Sequence, residues 1–271
     1  MKESGFVYSV RLERDRVPSF DAYPFSIPAI RSLDELELDP KITFFIGDNG
    51  AGKSTLVEAI AVCVGFNAEG GTRNFNFATR RSESRLVDYL RVARGPRRER
   101  RGYFLRAESY FNVATEIERL DADPSAGPRV IDGFGGVPLH EQSHGESFLA
   151  LAKNKLAGEG LFILDEPEAA LSPQRQLAML AVLHAAISDG AQFIIATHSP
   201  ILMAYPGALL YQVDATGLHP IAYEDTQHFQ ITRDFLTNRD SFLKHLLSRD
   251  EPEARPPARS RSRSRRRGPE G

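Results

Sequence analysis

The chain has 271 residues, of which 41% are hydrophobic and 26% are charged, and its formal net charge is −2. This apolar content suffices for one large domain or two small ones and excludes a disordered or fibrous class for most of the chain. The single cysteine, Cys63, excludes an intramolecular disulfide. No segment has the length and hydropathy of a membrane span or a signal peptide, so a cytoplasmic location is expected.

The small net charge conceals an uneven distribution of charged residues. Residues 73–106 contain eleven arginines against three acidic residues, and residues 249–271 contain eight arginines against four. The remainder of the chain is therefore acidic. Residues 249–271 also lack the large hydrophobic side chains that a core requires, so they are predicted to form a disordered tail after a single domain over 1–248.

Short apolar runs alternate with amphipathic segments along the chain, which predicts an α/β fold. Strands are predicted at 6–14, within 18–30, and at 41–47, 103–109, 161–167, 192–200, 208–214 and 218–223. Helices are predicted at 53–65, 84–92, 109–119, 145–157, 173–190, 226–236 and 239–248. The long crossovers between strands favour a mostly parallel sheet flanked by helices, with 66–142 as a small helical and Arg-rich insertion.

The strongest motif is GDNGAGKST, which lies between a buried strand and a helix and matches G-x-x-x-x-G-K-[ST]. Its glycines permit positive φ angles, so backbone N–H groups can surround phosphate oxygens at a helix N-terminus. Lys53 is expected to neutralise the β- and γ-phosphates, and the hydroxyl of Ser54 to bind Mg²⁺. The predicted cofactors are therefore ATP and Mg²⁺. The predicted nucleotide-binding residues are Gly47, Asp48, Asn49, Gly50, Ala51, Gly52, Lys53, Ser54 and Thr55.

Two further strands of the predicted sheet end in polar residues. LFILDEP closes on Asp165, which is expected to hold Mg²⁺ through water, and on Glu166, which is expected to orient the attacking water and accept its proton. His198 ends the next apolar strand, where an imidazole can reach the γ-phosphate. Taken alone, each is as well explained as an ordinary polar end of a strand. Their order and spacing after Lys53 favour a catalytic set of Lys53, Glu166 and His198.

This order of motifs resembles the ATP-binding-cassette (ABC) type of ATPase, and more closely its SMC/RecF-like branch, over roughly residues 5–215. In that family a Ser-Gly-Gly-[Gln/Glu] signature precedes a helix just before the second acidic strand, and QSHGES stands in that position here. Ser143, Gly145 and Glu146 match the signature, whereas His144 replaces its first glycine. The resemblance implies that these residues bind the γ-phosphate held by a second subunit, and hence an ATP-dependent homodimer.

The chain departs from the family at two further positions. The family has a glutamine after the strand that follows its first helix, whereas no glutamine precedes Gln142 here, and Arg106 or Glu108 occupies that place. The segment EAALS ends in Ser172, where the family has aspartate. These differences favour a soluble member of the family over a transporter subunit.

Three further features of the sequence are weaker signals of function. Residues 140–144, HEQSH, satisfy the H-E-x-x-H zinc pattern, but the adjacent Pro138 and Gly145 fit the signature loop better than a metal-binding helix. Cys63 is expected to be a small core residue. Tyr23 is the candidate for stacking on adenine.

The task that ATP hydrolysis would drive is left open by the sequence. The Arg-rich segment 73–106 is either solvated surface, a contact for the DNA backbone, or a docking site for a protein. DNA-associated repair or defence is one hypothesis. The alternatives are the nucleotide-binding subunit of a membrane transporter, and an ATP-gated interaction module or toxin regulator with little turnover.

Overall fold

The computed structural model describes residues 5–72, 85–107 and 144–248. Described residues up to Thr232 form one compact unit, and those from Arg233 form a second. The strands are β1 (Val7–Leu12), β2 (Glu35–Glu37), β3 (Ile42–Ile46), β4 (Leu90–Arg94), β5 (Gly102–Arg106), β6 (Leu161–Asp165), β7 (Gln192–Thr197), β8 (Leu209–Asp214) and β9 (Gly217–Pro220). The helices are α1 (Pro28–Arg31), α2 (Lys53–Cys63), α3 (His144–Lys155), α4 (Pro173–Ser188), α5 (Gln227–Thr237) and α6 (Arg239–Leu247).

The main sheet has the strand order β5-β6-β7-β3-β8-β9, and all of its neighbours are parallel except β8 and β9. Strands β3, β6 and β7 are buried at every residue, which their run of β-branched and aromatic side chains allows in a sheet covered on both faces. The carboxyl ends of these strands lie at one edge of the sheet, which is the edge where ligands bind in such folds. The predicted parallel sheet flanked by helices is confirmed.

Helices cover both faces of this sheet. Alternate residues of β3 belong to different core clusters, with Phe44 on one face and Phe45 on the other, as the two-residue period of a strand requires. Helices α3 and α4 pack against the Phe44 face through Phe148, Met179 and other buried side chains. Helix α2 packs against the Phe45 face. The sheet therefore holds α2, which begins in the glycine-rich motif, directly beside β3.

A small antiparallel sheet, ordered β2-β1-β4, joins the same core as α2. The buried side chain of Gln192 links it to the main sheet. Its Oε1 accepts hydrogen bonds from the backbone N–H groups of Phe6 and Val7, at 2.8 and 2.9 Å. Its Nε2 donates to the carbonyl oxygens of Val7 and Asp39, at 2.7 and 2.9 Å. One amide thus satisfies four backbone groups at the junction between the sheets.

Two predicted elements were wrong. The helix predicted at 84–92 is a 3-10 turn over Arg85–Tyr89 followed by β4, because Leu90–Arg94 pairs with β1 along its length. The strand predicted within 18–30 is the short helix α1 instead, which has a proline at its first position. The predicted helix at 109–119, most of the 66–142 insertion and the tail at 249–271 lie outside the described residues.

The second unit is described through Ser248 and contains helix α6. The ring of Phe242 meets that of Phe235 edge-on, with the ring centroids 6.1 Å apart. Across the two units, none of the described helices combines the length and the hydropathy that crossing a bilayer requires.

Candidate functional site

The glycine-rich motif forms a tight loop between β3 and α2. Gly47, Gly50 and Gly52 have φ angles of 147°, 79° and 102°. A Cβ atom on Gly47 would lie 2.0 Å from the carbonyl oxygen of Val213, and one on Gly52 would lie 2.5 Å from Cγ2 of Ile27. Glycine is therefore required at both ends of the loop. Because the first turn of a helix leaves backbone N–H groups without intrahelical partners, the start of α2 can bind phosphate oxygens.

Lys53 is buried inside this loop, with 3% of its surface exposed. Its Nζ donates hydrogen bonds to the carbonyl oxygens of Gly47 and Asp48, at 3.0 and 2.9 Å. Burial lowers the pKa of Lys53, and the nearby carboxylates of Glu166 and Asp165 partly offset that effect. The loop thus holds a cation where a bound phosphate would need one.

Ser54 and Asp165 meet beside the loop, although 111 positions separate them in the sequence. The Ser54 hydroxyl donates to Oδ1 of Asp165 at 2.9 Å. A hydroxyl and a carboxylate are oxygen donors that suit Mg²⁺, which commonly takes one or two protein carboxylates and completes its shell with water and substrate phosphates. The residues present therefore fit the predicted magnesium site.

Arg106 lies on the far side of Asp165. Its Nη1 donates to Oε2 of Glu58 on α2 at 2.7 Å, and its Nε lies 3.6 Å from Oδ2 of Asp165. Register places Arg106 directly opposite Asp165 on the paired strands β5 and β6. The residue predicted as a substitute for the family's glutamine is thus in contact with the proposed magnesium carboxylate. Glu108, the other candidate, lies outside the described residues.

Glu166 and His198 come together across the ends of β6 and β7. Oε1 of Glu166 lies 3.1 Å from Nε2 of His198. Glu166 has a φ angle of 52°, in the left-handed region that non-glycine residues rarely adopt, and its N–H donates to the carbonyl oxygen of Ala196. The side chain of Glu166 keeps 35% of its surface exposed. This pair can therefore reach a substrate bound at this edge of the sheet.

Glu168 is a further residue of the site that sequence reasoning missed. Its Oε1 accepts a hydrogen bond from the backbone N–H of His198 at 2.5 Å. Burial raises the pKa of Glu168, and the hydrogen bond from His198 counteracts part of this rise. Glu168 thus fixes the backbone that carries His198. The third acidic residue in DEPE was the available signal, but only the fold shows what it contacts.

The signature residues that are described lie at the start of α3. Glu146 pairs with Arg175, with Oε1 and Nη2 3.0 Å apart. A Cβ atom on Gly145 would lie 2.5 Å from Nη1 of Arg175 and 2.9 Å from the carbonyl oxygen of Ala170. The start of α3 is therefore packed closely against the segment that follows Glu166. Ser143 lies outside the described residues.

The other residues that the sequence suggested as candidates lie in the following positions. Tyr23 is 69% exposed. Cys63 is half-buried, and burial raises its pKa to about 11, as expected for a packing residue. Ser172 is the residue immediately before α4. Residues 140–143 of the zinc-like pattern are outside the described part of the chain.

Several arginines of the segment 73–106 are paired with carboxylates. Arg91 contacts Glu13 at 2.8 Å, and Arg94 contacts Glu99 at 2.6 Å. Arg97 pairs with Glu159 and Arg106 with Glu58. Part of the formal positive charge of this segment is thus compensated within the protein.

Comparison with known protein families gives two matches along the chain. Residues 25–119 match a family described as "AAA domain", and residues 130–204 match one described as "AAA domain, putative AbiEii toxin, Type IV TA system". A protein of Streptomyces avermitilis named "Putative ABC transporter ATP-binding protein" is 30% identical over 188 residues. The aligned region covers 66% of this chain but 32% of that relative, so the chain spans about a third of its length.

Comparison with solved structures supports the mostly parallel α/β fold described above. The structure of "a putative metal-chelate type ABC transporter" in an inward-facing conformation matches with a TM-score of 0.50 and 17% identity, over 84% of this chain and 88% of that one. The SMC head domain from Thermotoga maritima matches with a TM-score of 0.45 and 16% identity, over 80% and 99% of the two chains.

Proposed function

We propose, from the premise that this chain is a P-loop ATPase domain of the ABC/SMC-like type, that it binds Mg·ATP and hydrolyses it to ADP and phosphate. One observation carries the proposal. The described structure brings Lys53, the Ser54–Asp165 pair and the Glu166–His198 pair to one edge of the sheet. These are a buried cation, oxygen donors for a metal ion and a half-exposed carboxylate, which are the groups that phosphoryl transfer to water requires.

Each residue has a separate part in the proposed reaction. The loop N–H groups and Lys53 bind the phosphates and neutralise their charge, while Ser54 and Asp165 would hold Mg²⁺. The metal ion, when bound, withdraws negative charge from the β- and γ-phosphates. Glu166 accepts a proton from water as the water oxygen bonds to the γ-phosphorus and the bond to the β-phosphate oxygen of ADP breaks. His198 contacts the γ-phosphate and positions Glu166.

The proposed active form is a homodimer. Ser143, Gly145 and Glu146 would present the start of α3 to the γ-phosphate bound by a second copy of the chain. Because Gly145 and Glu146 pack against Ala170 and Arg175, a phosphate bound there would be linked to the segment after Glu166. We propose that this assembly works in the cytoplasm.

The test compares the unmodified chain with Glu166→Gln and Lys53→Ala. The unmodified chain should release phosphate from Mg·ATP. Glu166→Gln should bind ATP and elute as an ATP-dependent dimer that does not turn over, because Gln cannot accept the proton. Lys53→Ala should lose nucleotide binding. Normal hydrolysis by Glu166→Gln would show that the proposed mechanism is wrong.

The task of the ATPase is a separate proposal. We favour work on DNA through the segment 73–106, where Arg98 and Arg100 adjoin the paired arginines. Duplex DNA should then stimulate turnover, and the stimulation should fall steeply with salt as phosphate contacts are screened. The name of the Streptomyces avermitilis relative supports the transporter alternative, for which ATPase activity would be insensitive to DNA and the chain would co-purify with membranes. If Glu166→Gln retained biological activity, the ATP-gated module or toxin regulator would be favoured instead.

A further inference from the structure

His228 belongs to no motif that the sequence analysis singled out, yet it lies beside the proposed nucleotide site. Its ring centroid is 5.6 Å from that of His198, with 54° between the ring planes. It stands 30 positions after His198, in the first turn of α5. Only the path of the chain through β8 and β9 brings the two rings together.

The position of His228 is fixed by contacts on both sides of it. Thr226 is fully buried, and its hydroxyl donates to the carbonyl oxygen of Tyr223 at 2.7 Å and accepts from the N–H of Phe229 at 3.3 Å. The phenol of Tyr223 donates to the carbonyl oxygen of Pro200 at 2.9 Å. The rings of Tyr223 and Phe229 also pack together, with centroids 4.7 Å apart. The segment that bears His228 is therefore anchored to the loop that follows His198.

Charged and titratable residues of the proposed phosphate site lie near His228. The ring is close enough to His198, Asp48 and Lys53 to interact electrostatically with them. Burial lowers the pKa of His228, and His198 lowers it further, which keeps the ring neutral near neutral pH. A neutral imidazole carries one N–H donor.

One ring nitrogen of His228 has no hydrogen-bond partner among the described residues. Nδ1 of His228 is buried and has no hydrogen-bond partner among residues 5–72, 85–107 and 144–248. Buried polar atoms of native proteins nearly always have a partner, and a bound phosphate would be one such partner here. A phosphate oxygen would supply an acceptor if that nitrogen carries the proton.

We propose that His228 is a further phosphate-contact residue, which donates a hydrogen bond from its ring to the terminal phosphate of ATP beside His198. This inference rests on the proposed ATP binding and adds a residue that distinguishes ATP from ADP. The two rings are close enough to contact the same phosphate group. Because ADP lacks that group, its binding should not depend on His228.

The test measures the affinities of the full chain for AMP-PNP and ADP, each with MgCl₂, by titration calorimetry. His228→Phe, which keeps an aromatic ring without a donor, should weaken AMP-PNP binding about tenfold and ADP binding less than about twofold, since the lost bond is one to a charged group. His228→Gln, which keeps an N–H donor, should recover most of the difference. His219→Gln removes an exposed histidine that contacts Asp214 and should change neither affinity.

The possible results separate this inference from the function on which it rests. If the His228 variants weaken AMP-PNP and ADP equally, or weaken neither, while Lys53→Ala abolishes binding, the inference about His228 is wrong and the proposed function stands. If the unmodified chain binds neither nucleotide, both are wrong. Should His228→Phe fail to fold, as judged by its thermal melt, His228→Ala provides the same comparison with a smaller side chain.

Discussion

The Ser54 hydroxyl donates a 2.9 Å hydrogen bond to Asp165, and this contact joins the start of α2 to the end of β6. The two residues belong to motifs that are 111 positions apart in the sequence. The described structure brings them together because β6 and β3 both border β7, so that their carboxyl ends lie at the same edge. The first prediction follows from this contact.

Ser54→Ala should raise the Mg²⁺ concentration needed for half-maximal ATP hydrolysis by about tenfold or more, because it removes one oxygen donor of the proposed metal site. Ser54→Thr keeps the hydroxyl and serves as the control. The measurement is phosphate release against a Mg²⁺ titration. An unchanged Mg²⁺ requirement in Ser54→Ala would contradict the assigned role.

Substitutions of two loop glycines should differ sharply in their effect on stability. Gly47→Ala should lower the free energy of unfolding by at least about 3 kcal/mol, because the new Cβ would meet a backbone carbonyl that cannot rotate away. In Gly50→Ala the new Cβ meets no atom within 4 Å. The free energy of unfolding should therefore fall only by the strain of the positive φ angle, about 1 kcal/mol. Urea denaturation of both variants checks the contrast, and equal losses would contradict the packing described for Gly47.

Arg106→Ala should lower the free energy of unfolding by about 1–3 kcal/mol, because it removes the guanidinium that pairs with the nearly buried carboxylates of Glu58 and Asp165. The matched control is Arg91→Ala, which breaks an ion pair in which the arginine is 67% exposed and should cost less than about 0.5 kcal/mol. Urea denaturation gives both values. A loss in Arg91→Ala as large as that in Arg106→Ala would argue against a special role for Arg106.

Glu168 should make the stability of the protein depend on pH. Burial raises the pKa of its carboxyl above 4.5, so the native state binds this proton more tightly than the unfolded chain does. The contribution of Glu168 to the free energy of unfolding therefore falls as pH rises from 4.5 through the raised pKa. Glu168→Gln should remove this fall, because it has no charge and still offers an acceptor to His198.

The control for that experiment is Glu168→Ala, which leaves the N–H of His198 without its acceptor. It should lower the free energy of unfolding by about 1–3 kcal/mol at low pH, and by less at higher pH, where Glu168 itself contributes less. Denaturation curves at several pH values distinguish the two variants. Identical pH dependence in Glu168→Gln and the unmodified chain would show that the carboxyl does not titrate as inferred.

Much of the main sheet and of the proposed site was predictable from local sequence. Strands β3, β6 and β7 consist almost wholly of apolar residues, so their burial could be predicted. Each is followed by a polar residue or a glycine, which also predicted where Lys53, Asp165, Glu166 and His198 lie relative to the sheet. The glycine spacing of GDNGAGKST predicted a turn that requires positive φ angles, and Gly47, Gly50 and Gly52 adopt them. The P-loop ATPase resemblance that these motifs suggested is confirmed.

The tertiary structure decided what depends on partners far away in the sequence. Residues 90–94 form a strand because β1 supplies their hydrogen bonds, although their own pattern suggested the end of a helix. Arg106, Glu168 and His228 acquire their contacts with Asp165 and His198 only through the order of strands in the sheet. Local patterns of apolar residues and glycines are properties of a short segment, whereas these side-chain contacts are set by packing between segments, which no single segment encodes.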